Sequence, residues 1–379
     1  MSNINIQPAL LQPSGFRFGE VSSLTTTRDL VSAVPPLGAL AAFTGTFQGS
    51  GFNTIFRPNT GTPTPLPTPV TGSDNLLELN LTLETLSFQP SLGDVPNRGE
   101  EQPDIHINGV PYLQMIQDVT IPSQPVGIHV EPGIWMNLPA TTQPEEGATV
   151  VRMASIPHGT TIEAQGTSFP PAAGPPTIAP VAITPFAIEP PNKQITFPSQ
   201  TATNNNTARI PQDLTSFLAA GTITQAMLTD PNTLLRNHIA GQTITSTTTI
   251  VISTEAATPL FGGGTDNIAF LGPNADAVSM QAIFWIETVQ FTIAVPIFEP
   301  GQPPLIIPAE TGAAGQPVPE FLVNPPIPIT APRSIKVKAP QIQYSQQVFL
   351  NFNGLTWPHV SVATLVPASP VPIPASAWA

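Results

Sequence analysis

Cysteine is absent from all 379 residues, which excludes disulfides, thiolate nucleophiles, zinc–cysteine centres and thiolate ligation of iron. Charge is scarce: Asp, Glu, Lys and Arg make up 9% of the chain, with 11 basic against 24 acidic residues and a net charge of −13. Eleven scattered cations give no stripe for a phosphate backbone and no purchase on an anionic lipid surface, so neither nucleic acid nor a membrane is expected as a partner. No apolar run reaches the length of a transmembrane helix. Met1 to Ile6 lack a basic region followed by an apolar core, so no secretory signal is expected and the expected location is the cytoplasm. Gly-x-Ser-x-Gly is missing, and the five His residues form no close pair of the kind that holds zinc.

Proline is abundant instead: 49 residues, about 13% of the chain against a usual value of about 5%. Proline is barred from helix interiors and central strands. With 40% apolar residues and a mean hydropathy of +0.12, the chain is too apolar for disorder. The composition therefore predicts an all-β protein whose strands are joined by long, proline-stiffened connections.

Periodicity locates the strands. Gly45, Phe47, Gly49 and Gly51 fall two apart and share one strand face, three of the four with no side chain. Such a face either bends at a barrel corner or lets another group lie flat on its backbone. From Asn75 to Phe88, Leu77, Leu79, Leu81 and Leu83 alternate with Glu78, Asn80, Thr82 and Glu84, predicting a buried leucine face and a wet polar one. Further strands are read over 105–116, 127–135, 150–156, 160–166, 243–254 and 277–293. A last hairpin turns at Asn353-Gly354 between strands 342–352 and 355–365. Residues 1–38 read as an extended arm, about 168–242 and 296–332 as proline-rich insertions, and 211–238 as short lid helices. His106 and His238 are expected on the surface.

Four stretches, in order, resemble the nitrobindin family of heme-binding ten-stranded barrels. Gly45-x-Phe47-x-Gly49-x-Gly51 is similar to its Gly-x-Trp-x-Gly-x-Gly strand, with Thr54 just beyond. His129-x-Glu131-x-Gly133-x-Trp135 is similar to its His-x-Glu-x-Gly-x-Trp segment. Val150 to Gly166 resembles a hairpin whose turn here reads Pro157-His158-Gly159, with His158 displaced from the usual pattern. His359, followed by Val360, Val362, Ala363 and Leu365, resembles the closing strand that carries the axial heme ligand.

The resemblance implies a single domain over 1–379, an antiparallel up-and-down β-barrel of about ten strands drawn from 39–167 and 243–366. It implies heme b as cofactor and His359 as ligand of the iron, the strongest donor type left in a chain without cysteine. Thr54, Phe47, Gly49, Gly51, Trp135 and Trp357 are then expected against the heme. His158, Arg152 and His129 are the candidate catalytic groups, able to move a proton on a peroxide. The expected activity is chemistry on peroxide, peroxynitrite or nitric oxide, peroxidase-like or isomerase-like. The expected partner is a small-molecule ligand or organic substrate, with a homodimer as the one self-association allowed for. Two other classes stay open: a non-enzymatic lipocalin-like carrier of an apolar small molecule, and a structural protein whose proline-rich loops contact neighbours.

Overall fold

The computed structural model describes residues 35–59, 64–156, 159–190, 193–255, 263–310 and 315–378. The described residues fall within the unit Val34–Ala379, and most of the arm read over 1–38 lies outside them.

Ten antiparallel strands close into a barrel: β1 (Gly45–Pro58), β2 (Asn75–Phe88), β3 (Ile105–Asp118), β4 (Val126–Leu138), β5 (Thr149–Ile156), β6 (Thr160–Ser168), β7 (Thr243–Ser253), β8 (Asp276–Val295), β9 (Arg333–Phe352) and β10 (Leu355–Pro367). Each strand pairs with its neighbour in sequence. The ring closes where Gly49 faces Leu365 and Asn53 faces Ser361 between β1 and β10. Full closure removes the exposed strand edges that an open sheet of this size would present.

Cross-strand partners point to the same face, which settles what lies inside. Asn53, Ser361, Gln346, Glu84 and Gln114 all face the interior. On β2 this reverses the sequence expectation. Glu78, Asn80, Thr82 and Glu84 point inward, and Leu77, Leu79 and Leu81 point outward. The outward leucines are dry because the segment between β6 and β7 covers them. It carries α1 (Thr215–Ala220), α2 (Gln225–Thr229) and α3 (Asn232–Ile239). Leu214, Ile223, Met227 and Leu235 join one apolar cluster with Leu77, Leu79, Val360 and Val362. The same segment adds bridges to β7, β10 and β2. The helices over 215–239 thus clad the outer wall, where apolar strand faces need cover. The helix at the mouth of the barrel is α4 (Gly272–Ala275), beside the cavity described below.

β8 and β9 run 20 residues each, past the ends of their neighbours. Their overhang packs on a small sheet of Leu305–Pro308, Glu320–Val323 and Val371–Pro372, making a second core around Phe291, Phe298, Phe321 and Trp378. Much of the proline-rich excursion over 296–332 is thereby folded against the barrel's base. Among the described residues no helix is long and apolar enough to cross a membrane.

Candidate functional site

Aromatic rings fill the barrel at the end where β1 begins. Phe43 stacks on Phe88 at 4.6 Å, Trp135 meets Phe43 edge-on at 5.5 Å and Phe284 at 5.1 Å, and Phe47 meets Phe88 at 6.1 Å. At the opposite end a cavity of about 140 Å³ remains. Ile55, Ile116, Ile156, Val348 and Leu350 make it largely apolar, and α4 brings Ala275 to its rim. Two imidazoles share its wall, those of His129 and His359.

Register explains both. His359 on β10 lies opposite Val348 on β9, and His129 on β4 lies opposite Ile116 on β3; all four face inward. The Nε2 of His359 is 2.8 Å from Asn53 Nδ2, and the same amide also donates to Ser361 Oγ at 2.8 Å. The Nε2 of His129 is 3.1 Å from Glu131 Oε2.

Below the cavity lies a polar network that the barrel buries completely. Arg152 donates to Tyr112 OH at 2.7 Å, to Gln346 Oε1 at 2.7 Å and to Glu131, which also accepts from Tyr112. The Arg152 guanidinium sits between the rings of Tyr112, Trp135 and Phe284, each centroid within 5.4–5.7 Å. Burial acts to raise the Glu131 carboxyl, but the charge of Arg152 and the bonds from His129 and Tyr112 override it, leaving Glu131 at about 2. Beside it, Tyr344 OH donates to Glu84 Oε2 at 2.5 Å, Thr82 Oγ1 to Glu84 Oε1 at 2.8 Å, and Gln114 Nε2 to Tyr344 OH at 3.1 Å. Here no cation is bonded to the carboxylate, and burial raises Glu84 above the ordinary carboxylate value. Two buried carboxyl groups in one interior are thus pushed in opposite directions, a pattern that separates acid and base roles in enzyme sites.

Glycine makes room for this network. A Cβ on Gly51 would stand 2.6 Å from Thr82 Oγ1 and 2.7 Å from Glu84 Oε1, and one on Gly133 would stand 2.6 Å from the Tyr112 ring. The groups lying flat on these bare strands are the protein's own side chains.

Of the residues expected at the site, the structure brings His359 and His129 to one cavity. Arg152 is behind its wall, reaching it only through Gln346 and through Glu131 to His129. Thr54 faces outward between Leu79 and Val360, on the face that the covering segment buries. Phe47 and Trp135 belong to the aromatic plug, and Gly49 and Gly51 lie below the cavity under β2 and β10. Trp357 is buried in a separate ring cluster, stacked on Phe352 at 4.5 Å with Phe56 and Phe197 alongside. None of these six lines the cavity, because strand alternation or depth places them elsewhere. His158 lies outside the described residues. His106 is on the surface, bonded to Asp94. His238, expected on a helix surface, is buried against Thr364 because α3 turns that side to the barrel. Sequence reading missed Glu84, Gln114, Tyr344 and Gln346. The available signal was the inward polar row of β2 in register with the glycines of β1.

No family model matches this chain, and no curated protein matches it. Among solved structures it is similar to the one described as "Crystal Structure of Rv2717c from M. tuberculosis", with 11% identity, 89% of this chain and 99% of that chain covered, and a TM-score of 0.34. Among the described residues no group of three His, Asp or Glu side chains gathers to hold a metal ion.

Proposed function

We propose that the cavity binds heme b through His359 and supports chemistry on small oxidants such as peroxide, peroxynitrite or nitric oxide. The observation that carries this reading is the position of His359: an inward imidazole on the closing strand, in the wall of a mostly apolar cavity. The donor chemistry suits the group. A neutral imidazole is a usual protein ligand of heme iron, and Asn53, which holds its Nε2, keeps Ser361 as a partner if that nitrogen is released. The lining suits it too, being mostly aliphatic and aromatic apart from the two imidazoles, a few amides and hydroxyls, and the Arg57 guanidinium, which Glu78 and Thr64 hold. The volume sets a condition. Pockets that enclose drug-sized ligands run about 300–1,000 Å³, so a group as large as heme would extend beyond the 140 Å³ now enclosed.

Bound heme supplies an iron centre that coordinates peroxide or nitric oxide. The chain contributes the rest. His359 fixes the group, Ile55, Ile116 and Val348 keep water from it, and His129, anchored by Glu131, holds or moves a proton at its cavity face.

The modest volume favours a second reading, a carrier of a small apolar molecule with His359 as an ordinary wall residue. Absorption spectra separate the two. Wild type titrated with hemin is expected to give a sharp Soret band that His359→Ala loses or strongly shifts. Wild type that gives no Soret band with hemin supplied leaves the carrier reading.

A further inference from the structure

The cavity floor presents two proton-handling groups, each backed by a carboxyl group. His129 rests on Glu131, and Tyr344 rests on Glu84. Both line the same 140 Å³ cavity, as do Gln114 and Gln346. The backing is rigid on the histidine side, where Glu131 is bonded by Arg152 and Tyr112. A carboxylate accepting from Nε2–H fixes the tautomer that leaves Nδ1 unprotonated.

We infer that this floor is an acid–base site for proton transfer next to the carbonyl of a small, uncharged, mostly apolar compound, with His129 as base and Tyr344 as acid. The inference goes beyond heme binding and requires no bound iron. In the forward step the C–H bond beside the carbonyl breaks. Its proton goes to His129 Nδ1 and its electron pair forms the C=C bond of an enol. The Tyr344 hydroxyl, which donates to Glu84 Oε2 at rest, turns to give its proton to the carbonyl oxygen and accepts the proton of the protonated Glu84 carboxyl group in its place. The step thus leaves one positive charge on His129 and one negative charge on Glu84, and the return step restores both.

Four features support it. The two groups are close enough for the charge of His129 to lower the Glu84 carboxyl group, so the ion pair formed in the step is internally compensated. Burial raises Glu84, which favours the protonated form that the step consumes. Gln346, its Oε1 taken by Arg152, has its amide NH2 left to offer a carbonyl oxygen. Finally, a cavity of about 150 Å³ admits a molecule the size of benzene, which sets the substrate at roughly six heavy atoms. Charged substrates are disfavoured by the mostly apolar walls, and the Arg57 guanidinium in the lining is already held by Glu78 and Thr64.

The test uses cyclopentanone as probe, in D2O, on the full-length protein without hemin, so its outcome is independent of any Soret band. Proton NMR follows loss of the hydrogens beside the carbonyl. Wild type is expected to speed exchange by about 10²-fold or more over buffer, the usual contribution of positioned acid–base groups. His129→Gln is expected to return the rate to that of buffer and Tyr344→Phe to lower it at least about tenfold, while the surface variant His106→Gln keeps it. A second measurement does not depend on variants folding: ¹⁵N NMR of histidine-labelled wild type is expected to show His129 as the Nε2–H tautomer. Exchange at the buffer rate in wild type, full exchange in folded His129→Gln, or an Nδ1–H tautomer overturns the proposal.

Discussion

At Gly51 a hydrogen is what lets the interior carboxyl of Glu84 cross the strand. An added methyl would meet Val362 O at 2.4 Å as well as the Thr82 and Glu84 oxygens, and a backbone oxygen cannot rotate away. Gly51→Ala is therefore expected to lower stability by about 1–3 kcal/mol, as overpacking of a tight interior does. Gly127→Ala, at the exposed start of β4 with nothing within 4 Å, is expected to stay within about 0.5 kcal/mol. Urea unfolding of both variants checks the pair. The bare inner face of β1 was legible from the spacing of Gly45, Gly49 and Gly51, because a period of two is a property of the backbone. What lies on that face was not legible. A bare strand accepts a ligand or a neighbouring side chain equally well, and only the register of β2 against β1 brings Glu84 there. His359 and His129 were picked out by the resemblance of their segments to family strands, and it is the register of β10 against β9 and of β4 against β3 that turns both inward.

At the scale of the element, β2 shows how far alternation reaches. Leu79 and Leu83 sit on one face of one strand and read as equivalents in sequence. Leu79 is fully buried under the segment between β6 and β7, whereas Leu83 lies past the edge of that cover and is 48% exposed. Leu79→Ala is expected to cost about 2–5 kcal/mol, the range for truncating a buried leucine. Leu83→Ala is expected to cost under about 1 kcal/mol. Similar losses for both, measured by chemical denaturation, would show that the covering segment does not pack as described. The sequence pattern correctly marks two unlike faces on β2 but not which one is inside. In most barrels the apolar face turns inward, and here the interior holds Glu84, Thr82 and Asn80 while an insertion supplies apolar contacts outside. That choice depends on contacts more than a hundred residues away, such as the pairing of Leu77 with Arg209 of the covering segment, which no local period encodes.

Across the whole molecule, buried titratable groups set opposing pH dependences. Glu131 is held at about 2, below the usual 4.5; its contribution is complete above 4.5 and is lost as pH falls through about 2. His238, lowered from 6.5 to about 4 by burial, must take up a proton if it is to charge in acid. Its contribution is complete above 6.5 and is lost as pH falls through about 4. Glu287 acts in the other direction. Burial raises it from 4.5 to about 8, against one hydrogen bond from Gln341, and its Oε1 has no partner among the described residues. Stability from the protonated form is complete below 4.5 and is lost as pH rises through about 8, and Glu84, also raised by burial, adds to that loss. One full proton corresponds to about 1.4 kcal/mol per pH unit. Between 4.5 and 6.5 the His238 and Glu287 slopes therefore oppose each other, and above 6.5 the carboxyl groups act alone. Thermal unfolding is expected to give its highest midpoint between pH 4.5 and 6.5 and to decline on both sides. Glu287→Gln keeps an acceptor for Gln341 and removes the titration, so it is expected to flatten the alkaline decline and move the optimum above 6.5, leaving the acid limb in place. An alkaline limb unchanged in Glu287→Gln would mean that the carboxyl is already ionised at neutral pH, with its charge balanced by groups other than Gln341.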